Sequence, residues 1–380
     1  MNNRRARFAQ ASLFISLVFP AVSFVQGFLG SLITFALLVL ANGFSFSRRA
    51  VLVISLVVAL FSGITYLHFI QSGSFSEFYD LVRLLPLIAA VIAVKNISFR
   101  QVFRVLYVVA WINVLIVFMV EFDIFRSFFE GFNARTLEES YGRHSGLFVN
   151  VSTLGCFSLL LCTFAVWGFL YGENLRSSAL YFLLGGFLLL ASGGKSQLLA
   201  LLLIMFLGSF YARRDVFKYY LIAVLLLILV LFGHIYNLFY LRQIDKIFAL
   251  FSNGFSGVSS VLARFEIWLE FFDVWVSDLS YSLIGVPLLF LDRISGTYDS
   301  DWIWVLFRFG FLVFFAYFLL MFLGLLRSVT NIRYPFLPLA AVVFSSVSVG
   351  VWLSFQLSFL VWFIIFSAVS RSEYNAVNIR

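Results

Sequence analysis

Four short stretches of the sequence carry side chains that could bind an anion or move a proton. The first contains Glu77, Asp80 and Arg83, spaced three residues apart at the start of an apolar segment. This spacing is typical of ion pairs within one helix, with the Arg83 side chain extending outward to water. It also suits a cation that is presented to an anionic headgroup, and both interpretations stay open here.

The second stretch is Tyr141-Gly-Arg-His-Ser-Gly-Leu-Phe-Val-Asn150, where a polar loop leads into an apolar segment. Arg143 offers a planar fork of hydrogen-bond donors that suits a phosphate group. His144 could exchange a proton near neutral pH. A single histidine is more often an ordinary interface residue, so we favour a role for Arg143 over one for His144.

The third stretch is Ala191-Ser-Gly-Gly-Lys-Ser-Gln197, between two apolar segments. It ends like a nucleotide-binding P-loop, but the first glycine of that motif would fall at Leu189. The nucleotide interpretation therefore fails. We predict a turn that carries one cation, Lys195, at the start of a helix, which is a suitable place for an anion.

The fourth stretch begins with Arg264, Glu266 and Trp268 and continues at residues 296–301, which run into another apolar segment. Acidic side chains beside aromatic rings could hydrogen-bond to sugars and stack on them. Capping of the following helix by Asp299 or Ser300 is the simpler interpretation, and it is compatible with a binding role.

The elements that must position these residues are membrane helices. The chain is 62% hydrophobic and 12% charged, with a mean hydropathy of +1.03, whereas soluble domains are about half apolar and a quarter charged. Apolar runs of about 20 residues recur, and each is long enough to cross a bilayer as a helix. The runs lack the alternation of barrel strands. The sequence predicts an all-α polytopic membrane protein of a single domain, residues 1–380.

Polar residues divide the chain into about twelve predicted spans. Their approximate bounds are 10–27, 29–46, 50–70, 78–95, 103–121, 146–170, 178–191, 196–212, 218–237, 300–325, 335–350 and 352–370. A large external loop, 238–299, contains an amphipathic stretch at 264–278 that suits a helix lying in the membrane interface.

Charge predicts the orientation. If the N-terminus is cytoplasmic, 16 of the 26 basic residues and three of the 18 acidic residues fall on the cytoplasmic side, as the positive-inside rule requires. Both termini are then cytoplasmic, and the four polar stretches lie on the periplasmic side. The net charge of +8 therefore indicates topology rather than a nucleic-acid partner.

The ionisable residues inside the apolar runs lie near the predicted external ends. They are Arg83, Glu121, Lys195, Arg308 and the three histidines, His68, His144 and His234. This distribution favours a reaction centre at the outer interface over a polar pathway through the bilayer, although external loops are also polar for simple reasons of solvation. Cys156 and Cys162 point to different helix faces, so we expect no disulfide between them. No metal-ligand spacing is visible, and we expect no metal and no cofactor.

Several of these motifs together resemble the O-antigen polymerase and ligase superfamily. Arg143 to Asn150 opening a helix, and the Ser192-Gly-Gly-Lys195 turn, are similar to recurring segments of that family. The second half of the resemblance consists of Arg264 to Trp268, Ile284-Gly285, Tyr298-Asp-Ser300 and Phe309-Gly310. It covers about residues 135–325, in order and in topology.

The resemblance implies a membrane-embedded glycosyltransferase of GT-C-like fold in the bacterial inner membrane. Its substrates would be glycans on undecaprenyl diphosphate, without nucleotide sugars, among membrane lipids and with a flippase and a chain-length regulator as partners. Lys195 replaces the usual arginine of the turn, which weakens bidentate phosphate binding there. Asp299 and Asp301 stand where the ligase branch carries a histidine, which favours the polymerase branch.

The resemblance also suggests roles for individual residues. Arg143 and Arg264 would bind the diphosphate, with Lys195 and Arg83 as helpers. Tyr298 and Trp268 would contact the glycan. Asp299 is the first choice of base, ahead of His144 and Glu266. Two alternatives remain open. One is an O-antigen ligase that transfers glycan to the lipid A core. The other is a flippase or transporter of lipid-linked sugars, for which Asn113, Gln26 and Gln356 would be the polar residues inside the membrane.

Overall fold

The computed structural model describes residues 3–19, 24–42, 48–94, 97–122, 137–138, 143–148, 150–170, 175–209, 259–291, 300–330, 336–348 and 354–369. Within these ranges the chain forms fifteen α-helices, one 3-10 turn and a two-residue antiparallel β-ladder. The predicted all-α class is therefore confirmed.

The first half of the chain contains α1 (Asn3–Val18), α2 (Phe24–Asn42), α3 (Arg48–Ser72), a 3-10 turn (Phe75–Phe78), α4 (Tyr79–Val82), α5 (Leu84–Ala93), α6 (Phe99–Glu121), β1 (Leu137–Glu138), β2 (Arg143–His144), α7 (Val151–Leu170), α8 (Leu175–Ser192) and α9 (Lys195–Ser209). The second half contains α10 (Ser259–Val276), α11 (Leu279–Ile284), α12 (Leu288–Leu291), α13 (Asp301–Thr330), α14 (Phe336–Ser348) and α15 (Phe355–Val369).

Four of the described helices are long and apolar enough to cross a membrane, namely Ile54–Ser72, Phe99–Glu121, Val151–Leu170 and Asp301–Val329. Five shorter apolar helices accompany them. Large apolar side chains on the outer faces of α3 and α13 are exposed, including Leu52 and Leu56 on α3 and Phe311 and Phe315 on α13. A water-soluble protein seldom exposes such surfaces. The composition and the exposed apolar surfaces therefore indicate a membrane protein.

The centre of the bundle is α7. Over the most apolar 18 residues of α7, 89% are buried inside the protein, whereas the corresponding share is 22% for α3 and 33% for α13. Helix α8 approaches it closely at Gly185, where an added Cβ would lie 2.6 Å from the Cys162 sulfur. Small residues at such contacts let membrane helices pack tightly. Cys156 and Cys162 are buried and unbridged, as expected.

Several predicted bounds require correction. The first two predicted spans meet at residue 28, whereas α1 ends at Val18 and α2 begins at Phe24. The predicted span 78–95 is divided between the 3-10 turn, α4 and α5. Residues 146–150 precede α7, and Asn150 caps it by accepting a hydrogen bond from the Thr153 N–H at 2.8 Å. The predicted span 218–237 lies outside the described residues.

Within the described residues, one end of the bundle gathers a set of buried polar contacts, and we call it the polar end. Here α3, α6, α8 and α14 end, while α7, α9, α13 and α15 begin. Four polar contacts lie here: His68 with Arg308, Ser300 with Ser346, Glu121 with His144, and Gln356 with Leu147. An added Cβ at Gly155 of α7 would lie 3.1 Å from the Ser192 hydroxyl of α8, so these two helices also meet here. The polar stretches identified in the sequence therefore meet at the same end of the fold.

Candidate functional site

The first turns of α13 carry a polar stripe on their buried face. Asp301, Trp304 and Arg308 lie at helical spacing, and each is no more than 3% exposed. At 1.5 Å per residue, Arg308 lies about 10 Å further along the helix than Asp301. An acid, an indole and a guanidinium thus line one face of the first turns of this helix.

Arg308 is the centre of a buried ion-pair cluster. Its Nη2 lies 2.7 Å from Glu77 Oε2, and its Nε donates to Asp80 Oδ2 at 2.6 Å. Nη1 donates to His68 Nδ1 at 2.8 Å and to the Val286 carbonyl at 3.0 Å. Because a guanidinium has no acceptor, His68 is neutral at Nδ1 and carries its proton on Nε2. We call these four side chains the Arg308 cluster.

Two glycines bring the backbone of the large loop against α13. Gly285 has φ of 91° and Gly310 has φ of 72°, conformations that favour glycine. A Cβ at Gly285 would overlap the Arg308 carbonyl, and one at Gly310 would overlap the Leu283 carbonyl. Gly310 interrupts the helical backbone of α13, and the Phe307 carbonyl accepts the Val286 N–H at 2.7 Å instead.

The Arg308 cluster also fixes the connection from α11 to α12. Glu77 accepts the backbone N–H groups of Leu288 at 3.0 Å and of Leu289 at 3.3 Å. His68 Nε2 donates to the Gly285 carbonyl at 3.0 Å. Each buried charge is thus neutralised and hydrogen-bonded, as burial in a medium of low dielectric constant requires.

Arg83 lies next to the cluster and is less completely bound. Its Nη1 is 3.3 Å from Asp80 Oδ1, and its guanidinium carbon lies 5.3 Å from the centre of the Trp304 ring. Its Nε is buried and donates no hydrogen bond within the described part of the chain, and the contact of its buried Nη1 with Asp80 is an ion pair without good hydrogen-bond geometry. Its side chain is 26% exposed. A cation stacked on a buried indole, with unused donors, is suited to bind an anion.

On its other side, α13 meets a group of small polar side chains. The Ser300 hydroxyl donates to the Ser346 carbonyl at 3.1 Å. Gln197 of α9 donates to the Cys156 sulfur of α7 at 3.6 Å. Helix α14 contacts α7, α9 and α13. The turn that precedes Lys195 and the start of α13 therefore belong to one polar region.

The turn before α7 is held rigidly. Gly146 has φ of 58°, and a Cβ there would overlap Asn113 Oδ1. Asn113 accepts the Leu147 N–H at 2.8 Å, and Gln356 donates to the Leu147 carbonyl at 3.1 Å. The sequence offered Asn113 and Gln356 as polar residues of a transport pathway. In the structure both side chains hold this turn in place.

His144 precedes that turn and forms a pair with Glu121. The distance from His144 Nε2 to Glu121 Oε2 is 3.0 Å, and the two side chains are 7% and 59% exposed. Burial lowers the pKa of His144 below its usual value of 6.5, and the charge of Glu121 partly opposes this effect. His144 is therefore a neutral imidazole near pH 7, able to accept a proton.

The predicted site residues have different outcomes. Arg83 and His144 lie at the polar end with the contacts given above. Glu266 is exposed on α10, and Trp268 is half-buried on the same helix. Arg143 lies in β2, Lys195 begins α9 and Arg264 lies in α10, but their side chains are outside the described part of the chain. Tyr298 and Asp299 lie outside the described residues.

The sequence did not identify the Arg308 cluster as a unit. The spacing of Glu77, Asp80 and Arg83 suggests either ion pairs within one helix or a cation presented to an anionic headgroup. In the structure both acids bind Arg308, and Asp80 alone also pairs with Arg83. The available signal was Arg308 itself, a charged residue inside an apolar run, which normally has a buried partner.

Among the described residues, no group of three histidine, cysteine, aspartate or glutamate side chains could hold a metal ion. No protein-family model and no curated protein matches the chain.

Proposed function

We propose that this chain is a polysaccharide repeat-unit polymerase of the O-antigen type. It would extend a glycan carried on undecaprenyl diphosphate by transferring it to the next lipid-linked repeat unit. The observation that carries this proposal is Arg83, a partly exposed guanidinium on a buried indole. Its buried Nε has no hydrogen-bond acceptor within the described chain, and its Nη1 has only the 3.3 Å ion-pair contact to Asp80.

The chemistry of the transfer requires such a cation. An acceptor hydroxyl oxygen bonds to the anomeric carbon of the donor, the bond from that carbon to the diphosphate oxygen breaks, and the hydroxyl proton goes to a base. Negative charge grows on the departing diphosphate, so fixed donors there stabilise the transition state. A buried donor without an acceptor is costly, and a diphosphate oxygen would satisfy the donors of Arg83.

Other cations would share the diphosphate. Arg143 precedes the fixed turn before α7, and Lys195 begins α9, so both backbones lie at the polar end with Arg83. Arg264 lies in α10, which contacts α13. We propose these three as further diphosphate ligands, Tyr298 and Trp268 as glycan contacts, and Asp299, His144 or Glu266 as the base.

The proposal includes an orientation. About twelve spans in a GT-C-like arrangement, with cytoplasmic termini in a bacterial inner membrane, would place the polar end on the periplasmic face. The exposed apolar surfaces of α3 and α13 would face lipid tails, and the polyprenyl chains of the substrates could lie against them.

A flippase or transporter of lipid-linked sugars is the second candidate, because α13 is interrupted at Gly310. Interrupted helices often mark substrate sites in transporters. Here, however, the interruption is filled by the backbone at residues 283–286 and by the paired charges of the Arg308 cluster. We therefore rank transport below glycosyl transfer.

The experiment uses purified protein in liposomes with a lipid-diphosphate-linked repeat unit, and no nucleotide or metal. A ladder of lipid-linked oligomers is expected from the wild type and from Arg104→Gln, which changes an exposed arginine of α6. Arg83→Gln should slow elongation by on the order of 10²-fold, the typical effect of removing one donor to a developing charge. Translocation of the substrate without chain growth would contradict the polymerase and favour the transporter.

A further inference from the structure

His144 and Glu121 have the geometry of a base and the carboxylate that orients it. Glu121 is the last residue of α6, and His144 lies in β2, 23 residues later. The carboxylate can only accept when ionised, so the 3.0 Å contact fixes the proton of His144 on Nε2. The lone pair then lies on Nδ1.

Nδ1 of His144 accepts no hydrogen bond from any described residue. It is buried and has no hydrogen-bond partner in the described part of the chain, although buried polar atoms of native proteins are nearly always paired. A hydroxyl of the substrate would supply the missing hydrogen bond by donating to Nδ1 of His144. Burial also keeps water away from this nitrogen, which protects a glycosyl donor from hydrolysis.

The backbone around His144 is fixed from several sides. His144 is paired with Leu137 in the β-ladder, and β2 contacts α7 and α8. Two residues later the chain turns at Gly146, where Asn113 holds the Leu147 N–H. Such rigidity costs conformational entropy that a surface loop would not lose, and it is what a catalytic group needs for orientation.

We propose that His144 is the general base of the transfer and that Glu121 is its positioning residue. This inference rests on the proposed function. Nδ1 removes the proton of the acceptor hydroxyl as its oxygen bonds to the anomeric carbon, and the lipid diphosphate leaves with the electron pair of the broken bond. Glu121 holds the tautomer and stabilises the imidazolium that forms.

A purely structural pair, which only attaches the loop to α6, is the rival explanation. The two differ in pH dependence, because the negative charge of Glu121 raises the pKa of His144. Glu121 is the charged group that contacts His144 among the described side chains. Arg143 precedes His144 in β2, and Glu138 lies opposite Arg143 in β1.

The test measures the rate of lipid-linked dimer formation in liposomes between pH 5 and 8. His144→Gln should lower kcat by about 10²–10⁴-fold, the range expected for loss of a general base. Glu121→Gln should lower kcat by roughly 10-fold or more, and should move the acidic limb of the pH profile to lower pH. In the double variant, loss of Glu121 should add little, because the two residues act as a unit.

Glu270→Gln is the matched control, since it neutralises an exposed acid of α10 outside this pair, and it should retain the wild-type profile. Substrate binding to each variant, measured separately, identifies misfolded protein. An acidic limb that stays in place in Glu121→Gln, or nearly normal kcat in His144→Gln, overturns this assignment while leaving the polymerase intact. Absence of polymerisation by the wild type would instead refute the proposed function.

Discussion

Replacement of Arg308 by methionine tests the physical account of the buried cluster. The side chains of Arg308 and Glu77 are 0% exposed, and that of Asp80 is 2% exposed. Removing one partner of a buried ion pair typically costs about 3–5 kcal/mol, because a charge is left uncompensated. Glu77 keeps two backbone donors and Asp80 keeps Arg83, so we expect the lower end, about 3 kcal/mol.

The informative comparison adds Glu77→Gln and Asp80→Asn to Arg308→Met. This triple variant removes all three charges, and neutral replacements of buried ion pairs are often close to neutral in stability. We expect it to recover to within about 1–2 kcal/mol of the wild type. Reversible unfolding in mixed micelles, followed by tryptophan fluorescence, measures the free energies. Arg104→Met provides the exposed control, with a change below about 0.5 kcal/mol. A triple variant no more stable than Arg308→Met would refute the reasoning.

Three further expectations follow from the geometry. Gly285→Ala and Gly310→Ala should each lower stability by about 1–3 kcal/mol or more, from backbone strain and overlap, as measured by the same unfolding assay. Gly146→Ala should lower it similarly, and Asn113→Ala in the same chain should recover part of the loss by removing the overlapping oxygen. His144 has a lowered pKa in the fold, so its stability contribution is complete above the unfolded value of about 6.5 and is lost as pH falls below it. Unfolding from pH 5 to 8 should show a weaker dependence in His144→Gln than in the wild type, because the buried neutral His68 remains in both.

Gly63→Ala is a suitable control for the glycine variants. Gly63 lies in α3, and an added Cβ there would meet no atom within 4 Å. Alanine has the better helix propensity, so this variant should be neutral or slightly more stable. Equal losses at Gly63 and Gly285 would show that glycine replacement alone, rather than the close backbone approach, causes the effect.

The helical class could be predicted from the sequence, because the apolar composition and the length of the apolar runs are almost enough to determine it. The sequence predicted less of the region at 75–93, where the 3-10 turn, α4 and α5 replace one continuous span. The apolar run there is interrupted by Glu77, Asp80, Arg83 and Pro86. Glu77 and Asp80 bind Arg308 on α13, so tertiary contacts contribute to where the helix breaks. Such contacts between distant segments cannot be predicted from the spacing of apolar residues along the chain.

The candidate site was predicted in part. Arg83 and His144 were identified from residue type, yet their partners Trp304 and Glu121 were not assigned to them. Pairing across 23 residues, or across more than 200, depends on how helices pack, and local spacing always offers a competing partner. For this reason local spacing suggests only Arg83 as a partner of Asp80, although Asp80 lies 2.6 Å from Arg308 and 3.3 Å from Arg83.

The Arg308 cluster also has a consequence for biosynthesis. Arg308 and Asp80 are separated by 228 residues, so the acids are synthesised long before their cation. A charged residue in an apolar segment is costly to insert by itself. While the second half is being translated, the 3-10 turn that carries Glu77 and the helix α4 that carries Asp80 must therefore stay at the membrane surface, or keep these carboxyls protonated, until α13 arrives. We expect nascent chains that stop before α13 to be held by insertion factors or removed by membrane proteases, which makes pairing of these residues a late checkpoint in assembly.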